Sequence, residues 1–127
     1  MKYLGIDYGE AKVGLALGDD ESKVALPYKI ITNTGWEKLF DNLRDVIKAE
    51  NIKTVIIGLP INLKSAKTPQ TAKVKKFIDR LNIELDCEVI PFDERLSSVE
   101  AQKLRAGKRD DDIAAMLILQ NYFDSEL

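Results

Sequence analysis

The chain has no histidine and a single cysteine, Cys87, among its 127 residues. The first absence removes imidazole bases, Ser-His and Cys-His nucleophile systems, and histidine metal ligands. The lone thiol excludes an internal disulfide and a cysteine-based zinc site, so a reducing compartment suits the chain. No apolar run approaches the length of about 20 residues that crosses a bilayer. The opening MKYLGIDYGE has an acid at position 7 and no long apolar segment, so it does not read as a secretory signal. A cytoplasmic protein off the membrane is expected.

What is left for polar chemistry is carboxylates, lysines, hydroxyls and one thiol. Carboxylates suit hard cations such as Mg2+ or Mn2+. The net charge of −2 argues against a surface coated for nucleic acid. Local basic stripes remain: Lys64, Lys67, Lys73, Lys75 and Lys76 in one stretch, Lys103, Arg105, Lys108 and Arg109 in another. Each also reads as an ordinary solvated face. The length fits one domain, residues 1–127, able to bury roughly two-thirds of its unfolded surface.

Strands are expected at 2–8, 12–18 and 24–31, the first two joined as a hairpin by Gly9–Ala11. Pro27 favours an edge position or a bulge for the third. Trp36, Leu39, Phe40, Leu43, Val46 and Ile47 recur at helical spacing over 35–50. The apolar run at 53–58 fits a strand covered on both faces. Thr68 then reads as an N-cap with Pro69 at the first helical position, and Val74, Phe77, Ile78 and Leu81 face inward to about 82. A strand at 87–92 follows, then a helix at 97–106 capped by Ser97 or Ser98. A last helix spans 110–124, and its apolar run from Ile113 to Leu119 predicts deep packing all round. The order β-β-β-α-β-α-β-α-α is an α/β pattern: antiparallel strands feeding parallel units, a mixed five-stranded sheet with helices on its faces.

Acids at strand and helix ends are the candidates for chemistry. Asp7 closes the first strand, and alternation puts it on one face with Gly5 and Gly9. Their missing side chains would let a ligand or phosphate approach, although an aspartate there also suits a turn. Asp93 and Glu94 end the 87–92 strand, and also fit a turn that caps the next helix. Asp110, Asp111 and Asp112 open the last helix, where acids serve as caps, but three exceed what capping needs. Asp7, Glu94 and Asp111 come from separate elements. Such a cluster repels itself without a cation, and two ions about 4 Å apart can serve phosphodiester hydrolysis.

Four blocks now carry a resemblance. They are Gly5-Ile6-Asp7-Tyr8-Gly9 with Val13-Gly14-Leu15-Ala16; Gly58-Leu59-Pro60-Ile61-Asn62 with Pro69 and Thr71-Ala72; Asp93-Glu94-Arg95-Leu96-Ser97; and Asp111 with Ala114-Ala115 and Ile118-Leu119-Gln120-Asn121-Tyr122. In this order, over nearly the whole chain, they resemble the YqgF/RuvX family, the Holliday-junction-resolvase-like nucleases assigned to pre-16S rRNA. The resemblance implies an RNase H-like fold and a metal-dependent endonuclease acting on structured nucleic acid, with pre-16S rRNA 5′-end maturation as the usual assignment and branched DNA as the other. It implies Asp7, Glu94 and Asp111 as catalytic and metal-holding acids for Mg2+ or Mn2+. Asn62, Arg95 and Lys12 are the candidate substrate-binding groups, an amide and cations able to hold phosphate. Two departures stand out: Ser65 where such proteins often have glycine, and a short segment between Arg95 and Asp111.

Other readings compete. Holliday-junction cleavage in recombination and repair is one. A non-catalytic RNA-binding module of ribosome assembly is another. An actin-like or sugar-kinase ATPase shares the opening block, but its nucleotide sits between two lobes and this chain has room for one. Whether the protein is a monomer or a homodimer is open at this level.

Overall fold

The computed structural model describes residues 1–59, 69–93 and 111–125. Five strands and three helices follow in the order β1 (Lys2–Asp7), β2 (Lys12–Asp19), β3 (Val24–Thr32), α1 (Trp36–Glu50), β4 (Ile52–Leu59), α2 (Pro69–Glu84), β5 (Glu88–Asp93) and α3 (Asp111–Ser125). The expected helix at 97–106, its Ser97 or Ser98 cap, the Thr68 cap and Ser65 lie outside the described residues. Pro69 is the first residue of α2, where its missing N–H costs no helical bond.

The sheet order is β3-β2-β1-β4-β5. β1, β2 and β3 pair antiparallel, while β1–β4 and β4–β5 are parallel. Pro27 meets both expectations for it. Its strand is the edge, and the register slips there: Leu15 pairs with Lys29 but Ala16 with Pro27, leaving Tyr28 as the extra residue of a bulge.

Helices cover both faces. On one face Leu4, Ile6, Leu15, Val55 and Ile57 meet α1 and α2 through Leu39, Phe40, Leu43, Phe77 and Leu81. Phe77 is fully buried, stacks on Phe40 at 5.6 Å and lies 4.2 Å from the Tyr8 ring. Burying such a side chain is worth about 1.5–3 kcal/mol. On the other face Ala16, Ala25 and Ile56 meet Ala115, Ile118, Leu119 and Phe123 of α3.

The last helix departs from the expectation of packing all round. Ala114, Ala115, Ile118, Leu119 and Phe123 are buried, but Ile113, Met116 and Leu117 are only partly so. One side of a helix presses on a sheet. The opposite side needs a further layer, and the described residues supply none.

Candidate active site

Three parallel strands end together at one edge of the sheet. Asp7 is the last residue of β1, partly buried, and pairs with Gly14 of β2. The last β1–β4 pair is Ile6 with Ile57, and Ile57 pairs with Pro91. Asp7 therefore lies level with Gly58 and Phe92, each one residue short of the last residues of β4 and β5, Leu59 and Asp93. Asn62, Glu94 and Arg95 follow these strand ends in sequence and lie outside the described residues.

Helix α3 sets which face of this edge matters. Phe123 lies 5.3 Å from the Tyr3 ring, and further up β1 a Cβ on Gly5 would meet the Ala115 carbonyl oxygen and Leu119 Cβ, both at 2.9 Å. The helix thus runs antiparallel to β1 on the face Gly5 shares with Asp7. From Ala115 back to the helix start is four residues, about 6 Å of rise. From Gly5 to Asp7 is two strand residues, about 6.7 Å. The first residue of α3, Asp111, consequently stands level with the end of β1.

The two glycines beside Asp7 have a different purpose from the one read in the sequence. They were expected to leave room for a ligand. The space at Gly5 is instead filled by α3, whose backbone could not come so near a side chain. At Gly9 an added Cβ would collide with the Lys12 carbonyl oxygen, so this glycine closes the turn between β1 and β2.

Lys12, the first residue of β2, is exposed. Alternation gives it the face of Gly14 and Ala16, and Ala16 packs with α3. It is therefore a cation on the same face as Asp7, two residues from Asp7's partner. Among the described lysines of the first basic stripe, Lys73 pairs with Glu10 at 3.4 Å, while Lys75 and Lys76 are exposed on α2. The remainder of both stripes lies outside the described residues.

The turn after Asp7 is held by groups the sequence did not single out for the site. Trp36 Nε1 donates to the Tyr8 hydroxyl at 2.8 Å. Asn33 Nδ2 donates to the Gly9 carbonyl at 3.0 Å, and the Asn33 N–H to the Ala11 carbonyl at 2.9 Å. Trp36 was legible only as a core-facing helix residue, and nothing local marked Asn33.

Among the described residues, no three of His, Cys, Asp and Glu lie close enough to hold a metal ion. Asp7 is the one expected ligand whose side chain is described. Its setting fits a hard cation: an oxygen donor, partly withdrawn from water, at an edge where the strands lead in sequence to further acids and where no histidine or thiol competes.

Residues 1–125 match the family model described as "RuvX: Holliday junction resolvase". A protein of Chloroflexus aggregans named "Putative pre-16S rRNA nuclease" is 32% identical over 131 residues, covering 96% of this chain and 92% of that relative. One of the same name from Thermoanaerobacter pseudethanolicus is 33% identical over 136 residues, covering 99% and 98%. Among solved structures, RuvC of T. thermophilus in complex with a Holliday junction substrate superposes with a TM-score of 0.68 at 13% identity, covering 99% of this chain and 95% of that one. The Fowlpox virus resolvase with its junction DNA gives 0.57 at 17% identity, covering 100% and 99%. At such identities these structures speak for the fold, which is the RNase H-like one.

Proposed function

This chain belongs to the RuvX family of Holliday junction resolvase-like nucleases, and from that premise we propose that it hydrolyses phosphodiester bonds in structured RNA, with the 5′ end of pre-16S rRNA as substrate. The observation that carries the reading is the position of Asp7. It closes the central strand, at the level where α3 begins with Asp111, with β4 between it and β5, the strand that leads in sequence to Glu94.

Asp7, Glu94 and Asp111 are the proposed holders of Mg2+ or Mn2+. Such an ion would supply Lewis acidity and a water of lowered pKa. The chain's own residues do the rest. The three carboxylates would fix the place of reaction, since a cation sitting among them relieves their mutual repulsion. Lys12 stands on the Asp7 face and attracts the phosphate backbone toward that edge. Arg95 and Asn62 are assigned to phosphate as a bidentate cation and an amide donor. No nucleophilic side chain is assigned, so the reaction needs no covalent enzyme intermediate.

Branched DNA is the second reading, supported by the family description and by the fold shared with junction resolvases. One experiment separates the two: incubate the purified chain with a 5′-extended 16S rRNA precursor and with a four-way DNA junction, with Mg2+ or Mn2+ added or withheld. Cation-dependent cleavage of the RNA is expected, lost in Asp7→Asn with the circular dichroism spectrum unchanged. Full cleavage in EDTA, or by Asp7→Asn, would overturn the reading; cleavage of the junction alone would move the substrate to DNA.

A further inference from the structure

Asp7 pairs with Gly14 of β2 and lies one position beyond the last β1–β4 residue pair, at the very end of β1. The direction of the chain leaving it is fixed by what grips the next residues. Tyr8 points to the opposite face, where its ring packs on Phe77 at 4.2 Å and its hydroxyl takes the Trp36 Nε1 hydrogen bond at 2.8 Å. Trp36 in turn packs on Phe77 at 5.5 Å and on Phe40 at 6.3 Å. Phe77 and Phe40 are core residues, 0% and 1% exposed. The residue after Asp7 is therefore tied, through its ring packing and a partly buried hydrogen bond, to fully buried core rings, while Asn33 holds the Gly9 carbonyl one residue further on.

We propose that Tyr8 and Trp36 are positioning residues of the Asp7 site: their hydrogen bond holds the backbone leaving Asp7 and so sets how well that carboxylate binds a divalent cation. The role rests on the reading of Asp7 as a cation-holding acid. A phenylalanine at position 8 keeps the ring on Phe77 and deletes only the hydroxyl. The carboxylate then keeps its chemistry but samples more orientations, which weakens coordination, because ligand geometry depends on the groups behind the ligand.

The test is titration of Mg2+ by calorimetry into the full chain, as wild type, Tyr8→Phe, Trp36→Phe and Asp7→Asn, alongside kcat and KM for RNA cleavage. Trp36 is the only tryptophan, so its emission gives a second binding signal. Tyr8→Phe should bind Mg2+ on the order of 10-fold more weakly. Its kcat should fall at low Mg2+ and recover when Mg2+ is raised, with KM for RNA unchanged. Recovery by the cation separates positioning from a general loss of fold, and thermal melting confirms that the variant is folded. Trp36→Phe should behave alike, and its loss should not add to that of Tyr8→Phe in the double variant. Normal Mg2+ binding and kcat in folded Tyr8→Phe, beside a defective Asp7→Asn, would overturn the positioning role alone. Normal Mg2+ binding by Asp7→Asn would overturn the carboxylate reading and this inference with it.

Discussion

Gly5 of β1 and Ala115 of α3 approach so closely that a Cβ on Gly5 would lie 2.9 Å from the Ala115 carbonyl oxygen. That oxygen belongs to a helix backbone and cannot turn aside. Gly5→Ala must therefore push α3 off the sheet, at a cost of about 1–3 kcal/mol. A lower melting temperature is expected. Activity should fall further than stability explains, since α3 also carries Asp111 to the level of Asp7. Cleavage rates measured well below the melting temperature check this.

Gln120 stitches α3 to the start of the edge strand. Its Oε1 accepts from the Ala25 N–H at 2.9 Å, and its Nε2 donates to the Lys23 carbonyl at 2.8 Å. Gln120→Leu leaves both backbone groups without this partner, a loss of about 1–3 kcal/mol. Hydrogen exchange at the Ala25 amide should quicken, while the amides of β4 should change little.

Glu84 joins α1 to α2. It bonds Arg44 and, at 3.0 Å, Arg80. The arginine side chains are 43% exposed, so solvent screens both pairs. Glu84→Gln should cost no more than about 1 kcal/mol, less in high salt. Denaturant melts at two salt concentrations read this, and RNA cleavage should stay at the wild-type rate.

Cys87 is half-buried, and desolvation raises its thiol pKa. Less thiolate is present at any given pH than for a free cysteine, so alkylation at pH 8 should be slow in the native protein and fast in urea. For a group raised on folding, its contribution to stability is present below the ordinary thiol pKa. It is lost as pH rises through the folded value. Thiol-reagent kinetics across pH 7 to 10 would show the displaced titration.

Much of the fold was legible because its signals are local. Pro27 announced an edge or a bulge and its strand has both, since a residue without an N–H fits poorly inside a ladder. Pro69 marked the start of α2 for the same reason. The apolar run of β4 declared a strand covered on both faces, and Val55 and Ile56 do face opposite clusters. The glycines misled because their meaning is not local. Gly5 has no side chain for the sake of a helix that begins 106 positions later in the chain.

The sequence by itself determined the chemistry available and the list of elements. Without histidine, and with one thiol, carboxylates were the anionic side chains left to hold a hard cation, and hydrophobic period and turn residues marked each strand and helix to within two residues among those described. The tertiary structure alone decided that α3 runs antiparallel over β1, so that its start reaches the level of Asp7. It alone decided that Trp36, 28 residues away, grips Tyr8 beside that acid. Period and propensity are written in neighbouring residues. Close approach and register arise from surfaces that meet only after the chain has closed long loops, and no short stretch of sequence records which surface will be opposite.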